Sequence, residues 1–221
     1  MKRLSSKILL ATFLMVISIK AQAETELSVY AGYQTAPHSV VSGNDPDATW
    51  TGDFTAGWDG KSFAPPPYYG VRAIRWTSET FGWGAEFTHA KVYANDSTRS
   101  DNGYDRFEFT DGLNIITLNA MRRWPAQWGD KITPYVGAGV GFAMPHVDIQ
   151  ADGGAHTFGY QVTGPAVRAI AGASYQFNDT WSAFAEYQGT YSMNSVDLEN
   201  GGSLETDVIT NAVNIGLGFS F

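Results

Sequence analysis

The chain has 221 residues and no cysteine, and its 14 basic and 22 acidic residues give a net charge of −8. The lack of cysteine excludes disulfides, thiol nucleophiles, thiolate metal sites and iron–sulfur clusters. The acidic balance argues against non-specific binding of nucleic acid, so we expect no nucleic-acid partner.

Residues 1–23 have the pattern of a secretory signal peptide. A basic start (Lys2, Arg3, Lys7) precedes the apolar run ILLATFLMVISI, and AQA comes just before Glu24. We predict cleavage after Ala23; an N-terminal anchor is the alternative, but the apolar run is short for a spanning helix. Removal of the leader takes away four basic residues and no acidic one. Residues 24–221 would then form one domain with a net charge of −12.

Short segments in which apolar residues alternate with small or polar ones recur through the rest of the chain. The pattern is clearest in ELSVYAGYQ (26–34), FGWGAEFT (81–88), PYVGAGVGF (134–142), WSAFAEYQGTY (181–191) and NAVNIGLGFSF (211–221). Weaker runs lie near 67–77, 112–124 and 158–177. A period of two indicates β-strands with one apolar face. We therefore predict eight strands and no amphipathic helix.

The links between these strands alternate in length. TSET (77–80), PAQWGDK (125–131) and FNDT (177–180) are short, whereas the links near 35–66, 94–111, 148–157 and 194–206 are long. Tryptophans flank the short turns, where a periplasmic aromatic girdle is expected; they are Trp76, Trp83, Trp124, Trp128 and Trp181. The sequence predicts an all-β fold: an eight-stranded antiparallel transmembrane β-barrel in the outer-membrane bilayer, with four long extracellular loops and three short periplasmic turns.

The face opposite the apolar one carries Gly, Ser, Glu and Gln, which predicts a polar lumen. A soluble lipocalin-like barrel, the alternative, would have the reverse pattern. Alternation directs Arg72, Glu86, Arg168 and Glu186 inward, and we expect a buried ion-pair network there rather than a catalytic dyad. Eight strands leave room only for side chains, so we do not expect a diffusion porin and place function on the loops or the outer rim.

Four histidines fall at the predicted extracellular end: His38, His89, His146 and His156. Histidines and carboxylates at one rim can form a metal site, although exposed histidines often have no such role. We predict His38, His89 and His146 as metal ligands, with Asp111 or Asn114 supplied by the strand between the last two.

We predict a catalytic group of His146, Asp148 and Asp111, in which Asp148 orients the His146 ring. Alternation directs His89, Lys91 and His146 outward, toward the sugar headgroups of lipopolysaccharide, or simply into the interface as anchoring side chains. The segment FAPPPYYG (63–70) either stiffens the return of the first loop or forms a lip over a substrate groove.

Five segments resemble the lipid A oxidase family of rhizobial and related outer membranes. They are ELSVYAGYQTAPHS, GWDGKSFAPPPYYGVRA, EFTDGLNIITLNA, TPYVGAGVGFAMPHV and YQVTGPAV. The resemblance implies oxygen-dependent oxidation of the proximal glucosamine of lipid A to 2-aminogluconate, but no catalytic residues. Such chemistry usually needs a cofactor, and without cysteine a divalent metal such as iron, held by histidine and carboxylate, is the expected one.

The substrate implied is lipid A without its 1-phosphate, because a phosphate on the anomeric carbon would block the reaction. Lys61, Lys91 and Arg99 are candidates to hold the remaining anionic groups. The terminal Phe221 resembles the signal that the barrel assembly machinery recognises. Two alternatives stay open: a non-catalytic structural or adhesive surface protein, and a lipid A deacylase with a serine–histidine pair that could involve Ser192.

Overall fold

The computed structural model describes residues 24–221, apart from the side chain of Thr110. The predicted signal peptide, residues 1–23, lies outside this range. The elements in chain order are β1 (Glu24–Thr35), β2 (Ser39–Asn44), β3 (Phe54–Ala56), β4 (Trp58–Asp59), β5 (Tyr69–Trp76), β6 (Phe81–Ala94), α1 (Asp96–Asn102), β7 (Tyr104–Arg123), β8 (Ile132–Ala143), β9 (His146–Ala151), β10 (His156–Tyr160), β11 (Gly164–Gln176), β12 (Trp181–Asp197) and β13 (Ser203–Ser220).

Eight of these strands close a barrel, as predicted. Each of the eight pairs antiparallel with its neighbours, in the order β1-β5-β6-β7-β8-β11-β12-β13, and β13 pairs with β1 from Glu26↔Ser220 to Thr35↔Asn211. Closure leaves no free edge along the wall, so every backbone group there finds a partner without water. Within residues 24–221, no helix is long and apolar enough to cross a bilayer.

The outer surface of the wall is the apolar face that alternation predicted. Val29, Leu118, Val140 and Ile215 are exposed there, whereas their chain neighbours face the lumen. Trp83, Trp128 and Trp181 are exposed at the short-turn end and form the predicted girdle. The prediction that Trp76 belongs to this girdle was wrong. Alternation along β5 directs Trp76 to the lumen, where its indole donates to Glu26 and lies against Arg123.

The predicted ion-pair network fills the middle of the lumen. Arg72 pairs with Glu86 at 3.0 Å and with Glu186 at 2.6 Å, and Arg168 pairs with Glu86 at 3.1 Å. Tyr30 and Asn119 also donate to Glu86. These side chains are buried, so each charge has a partner where water is excluded.

The long-loop end is more ordered than the sequence suggested. The strands continue beyond the predicted ends, so the second connection shrinks to 95–103 and the fourth, predicted at 194–206, to 198–202. The second connection contains the helix α1, which was not predicted; Asn95 caps its start and Gly103, with φ 73°, ends it. Inside this extension, apolar side chains from β7, β9 and the first loop form a core above the polar lumen.

Candidate functional site

A bulge in β7 sets the position of the candidate site. β6 and β7 are in register from Phe81↔Arg122 to Ala90↔Leu113, and the register resumes at Val92↔Phe109. Only Lys91 therefore faces the three residues 110–112 of β7. Gly112 has a φ of 92°, which favours glycine, and it closes against the His89 ring. A bulge of this kind redirects side chains at the rim of a barrel.

His89 lies directly below the bulge, on the outer side of the wall. Its Nδ1 is 3.0 Å from Asn114 Oδ1, and its ring stacks on Tyr69 with centroids 5.4 Å apart. The predicted side is therefore confirmed, but the ring is buried rather than open to headgroups, because Tyr69 and Gly112 cover it. Within residues 24–221, His89 Nε2 makes no hydrogen bond of normal geometry.

His146 begins β9, on the other side of β7. Its ring packs edge-on against Phe158 and Tyr160, with centroid distances of 4.4 and 4.7 Å. Its Nδ1 lies 3.9 Å from Asp111 Oδ2, too far for a hydrogen bond, and has no other hydrogen-bond partner among the described residues. A buried ring nitrogen beside a carboxylate is thus left without a hydrogen-bond partner.

We call His89, Lys91, Asp111, Asn114 and His146 the rim cluster. These residues lie on three adjacent strands, β6, β7 and β9, on the outer side of the wall where the long loops begin. The main chain ties the cluster together, since Met144 N donates to Asn114 O at 2.7 Å. The sequence predicted that His89 and His146 lie near each other with Asp111 or Asn114 between them, and the structure has these residues on adjacent strands.

Asp148 does not orient His146, contrary to the prediction. It accepts from Arg106 at 3.1 Å, and its Oδ1 is 2.8 Å from His156 Nε2. The reason is strand pairing: Asp148 stands opposite Phe158 on β10, two residues from His156, whereas His146 stands opposite Tyr160. The carboxylate nearest His146 is therefore the one from the bulge, Asp111.

The predicted cationic residues divide into two groups. The ammonium group of Lys61 lies 4.6 Å from the centroid of the Tyr93 ring, and that of Lys91 lies 5.0 Å from the same centroid. The first loop therefore brings Lys61 next to Lys91 of the rim cluster. Arg99 lies in α1, paired with Asp96 and donating to the Asp105 carbonyl. These bonds hold Arg99 in the second connection rather than in the cluster.

The predicted metal ligands are not assembled into one site. His38 is exposed in the first loop; the adjacent Ser39 bonds Thr206 of β13, whereas His89 lies between β5 and β7. Among the described residues, no group of three or more His, Asp or Glu side chains is arranged to hold a metal ion. The residues do not fit a resident metal of the predicted kind.

Ser192 does not form the serine–histidine pair that a deacylase would need. It is buried on β12, where Asn194 Nδ2 donates to its hydroxyl at 3.0 Å. Its own hydroxyl points toward the Val208 carbonyl. Neither contact supplies a base.

Comparison with known proteins identifies the family of the chain. The family described as the outer membrane protein beta-barrel domain matches residues 9–221. The chain belongs to this family. It is an outer-membrane β-barrel protein, and its apolar outer surface contacts the outer-membrane bilayer. No curated protein sequence matches the chain.

Solved structures with similar folds include other small outer-membrane barrels. Neisserial surface protein A has 16% identity and a TM-score of 0.49, with 90% of this chain and 97% of that chain covered. The N-terminal barrel domain of Pseudomonas aeruginosa OprF has 17% identity and a TM-score of 0.46, with 90% and 100% covered. The attachment invasion locus protein Ail of Yersinia pestis has 11% identity and a TM-score of 0.40, with 90% and 99% covered.

Three further residues of the site were not singled out from the sequence. Tyr69 stacks on His89, and Phe158 and Tyr160 pack on His146. The alternation of Phe158, Tyr160 and Val162 in HTFGYQV was a usable signal, since it marks an outward face at the rim. The contacts themselves depend on strand pairing across the third connection.

Proposed function

We propose that this protein binds lipid A in the outer leaflet and oxidises the proximal glucosamine of 1-dephospho lipid A to 2-aminogluconate with dioxygen. The observation that carries the proposal is His146, whose buried Nδ1 has no hydrogen-bond partner among residues 24–221 and lies 3.9 Å from Asp111 Oδ2. A buried polar atom without a partner is costly, and such atoms occur at functional sites.

The location of the rim cluster supports a lipid substrate. His89 continues the outward face of β6 directly above Trp83 and Phe87, which lies toward the bilayer. The cluster therefore stands where the apolar wall gives way to the loops, at the level of the lipid headgroups. A sugar of lipid A reaches this height without leaving the membrane.

We assign proton transfer to His146. Its Nδ1 accepts the proton of the anomeric hydroxyl, and Asp111 stabilises the imidazolium that results. Lys61, which is exposed beside the cluster, supplies positive charge for the anionic groups of the lipid, and the buried Lys91 lies over the same Tyr93 ring. His89 and Asn114 hold the neighbouring wall of the site through their mutual hydrogen bond.

The proposed reaction balances with dioxygen as the oxidant. The hemiacetal loses two electrons and two protons, one proton from the anomeric carbon and one from its hydroxyl. Dioxygen takes them up as hydrogen peroxide, and water then opens the resulting lactone to the acid. The net gain is one oxygen atom. Oxidation by dioxygen implies a redox group. The described residues do not form a three-ligand site for a divalent metal, so no step is assigned to one.

The test is to incubate the purified barrel in detergent with 1-dephospho lipid A in air and follow product mass and hydrogen peroxide. We expect an oxygen-dependent gain of one oxygen atom. Lipid A that keeps its 1-phosphate serves as the control and should stay unchanged. An unaltered mass for the 1-dephospho lipid, with correctly folded protein, would contradict the proposal and favour the non-catalytic alternative.

A further inference from the structure

A gap in the barrel wall lies next to the rim cluster. Ala31, Tyr69 and His89 stand on one ladder, but β5 begins at Tyr69, whereas β1 continues to Thr35 and β6 to Ala94. Above this ladder β4 pairs with β6 only at Tyr93 and Ala94, so from Ala90 to Val92 no strand lies between β1 and β6. Gln34 bridges the gap, because its side chain bonds both Lys91 N and Lys91 O at 2.8 Å.

The first loop covers this gap with a firmly held segment, residues 58–64. Ser62 Oγ accepts from Gln34 N at 2.8 Å and donates to Gln34 O, and Tyr68 N donates to Ser62 O at 2.8 Å. Gly60 lies against the Gln34 carbonyl so closely that a side chain would not fit. The segment is thus fixed to the edge of β1 by several bonds.

A groove of about 550 Å³ runs between this segment and the upper end of β1, and we call it the outer groove. Its walls include Tyr33, Lys61, Phe63 and Ala64. Tyr33 is 60% exposed and Phe63 is 76% exposed, with ring centroids 6.4 Å apart. Two large exposed rings at one opening form an apolar surface of the kind that marks a binding site.

We propose that the outer groove holds an acyl chain of the lipid A substrate, with an anionic group of the same lipid at Lys61. This inference rests on the proposed function. Tyr33 continues the lipid-facing residues Leu27, Val29 and Ala31 of β1, so the groove opens from the surface that already contacts the bilayer. An acyl chain enters it without crossing water.

Charge at the groove supports the same occupant. Lys61 is exposed and makes no ion pair within residues 24–221, in a chain whose net charge is −8. Its ammonium group lies over Tyr93, next to Lys91 of the rim cluster. A lipid with its chain beside Phe63 and its phosphate at Lys61 would therefore present its sugar toward the cluster.

The experiment measures retained lipid by native mass spectrometry of the full barrel with 1-dephospho lipid A under nitrogen, so that turnover does not intervene. The variants are Lys61→Gln alone and Lys61→Gln with Phe63→Ser. The control is Phe177→Ser, which removes an aromatic ring of similar exposure at the short-turn end. Heat-modifiable migration checks that each variant is folded.

We expect the double variant to retain roughly tenfold less lipid, the single variant to lose part of that, and the control to match the unaltered protein. In air, the double variant should raise KM and leave kcat unchanged. Fully deacylated lipid A headgroup should not displace the bound lipid. Unchanged retention in the double variant, or displacement by the deacylated headgroup, would overturn the groove assignment.

The two proposals fail in different ways. If the unaltered protein retains lipid A, the groove variants lose it and no oxidised product forms in air, then the groove assignment stands and the oxidase proposal fails. If oxidation proceeds while the groove variants keep both retention and KM, the oxidase proposal stands and the groove assignment fails.

Discussion

At the scale of single residues, the two histidines of the β9–β10 hairpin have different environments. His156 is bonded to Asp148, so its ring already has a carboxylate partner. His146 is buried between two aromatic rings and has an unpartnered Nδ1 facing Asp111. Of these two histidines, His146 is the one that combines burial with a ring nitrogen lacking a hydrogen-bond partner.

Replacement of His146 by alanine should lower kcat/KM for lipid A oxidation by about 100-fold or more, because a positioned acid or base contributes at least that factor. The barrel should still fold, and heat-modifiable migration measures this. His38→Ala, in the exposed first loop, is the matched control and should keep full activity. Equal activity in both variants would exclude His146 from the chemistry.

At the scale of elements, the bulge of β7 positions the rim cluster. Gly112 adopts a φ of 92° and leaves no room for a side chain beside the His89 ring. Gly153, in the β9–β10 turn, has a φ of 71° and nothing within 4 Å of the same position. The two glycines share a positive φ, which would strain any other residue, and differ in their surroundings.

Gly112→Ala should therefore displace the His89 ring and lower activity on the order of 100-fold, as small misplacements in a site do. Gly153→Ala should carry a similar backbone cost of about 1 kcal/mol and keep its activity. The measurement is the rate of lipid A oxidation by each folded variant. Full activity in Gly112→Ala would show that the bulge does not set the geometry of the site.

The loops at the outer end are tied together by Asp47. Its carboxylate accepts from Ala155 N at 3.0 Å and from Asn200 Nδ2 at 2.9 Å, so it joins the first loop to the third and fourth connections. The hydrogen bond from the Ala155 backbone, followed by that from Asn200, lowers the pKa of Asp47 below its ordinary value of 3.8. The tie is therefore strongest when Asp47 is ionised.

This tie should be fully present above pH 3.8 and should be lost as the pH falls through the lowered pKa of Asp47. Hydrogen exchange of residues 152–155 and 198–202 should rise below that pH. Asp47→Asn should show the faster exchange already at neutral pH, whereas Asp53→Asn, at an exposed position in the same loop, should not. Exchange that is independent of pH in the unaltered protein would contradict this assignment.

At the scale of the whole molecule, Glu86 holds the lumen together. It pairs with Arg72 and Arg168 and accepts from Tyr30, Asn119 and Gln188, which come from five different strands of the wall. Loss of its charge would leave two buried guanidinium groups with a single carboxylate between them. Breaking a buried pair in this way is strongly destabilising.

We expect Glu86→Gln to lower the free energy of unfolding by about 3–5 kcal/mol. Glu205→Gln, on the exposed face of β13, should change it by about 0.5 kcal/mol or less. Urea unfolding in lipid vesicles, followed by tryptophan fluorescence, gives both values. If the two variants unfold alike, the network is not what stabilises the closed barrel.

The sequence by itself determined the barrel wall. Strand alternation predicted the eight strands, the lipid-facing side and the inward positions of Arg72, Glu86, Arg168 and Glu186, because in a transmembrane strand each residue faces either lipid or lumen. It also predicted that His89, Lys91 and His146 share one rim. These features follow from the two-residue period of the strands and from the alternating lengths of the links between them.

Only the tertiary structure decided the partners within that rim. The bulge at 110–112 shifts the register of β7 against β6. The pairing of β9 with β10 places the Asp148 carboxylate next to His156 rather than next to His146. The short β5 opens the gap that residues 58–64 cover, and Ser39, the neighbour of His38, bonds Thr206 of β13. Alternation fixes which side of the wall a residue faces, but register and bulges fix which residues meet, and these depend on chain segments far apart in sequence.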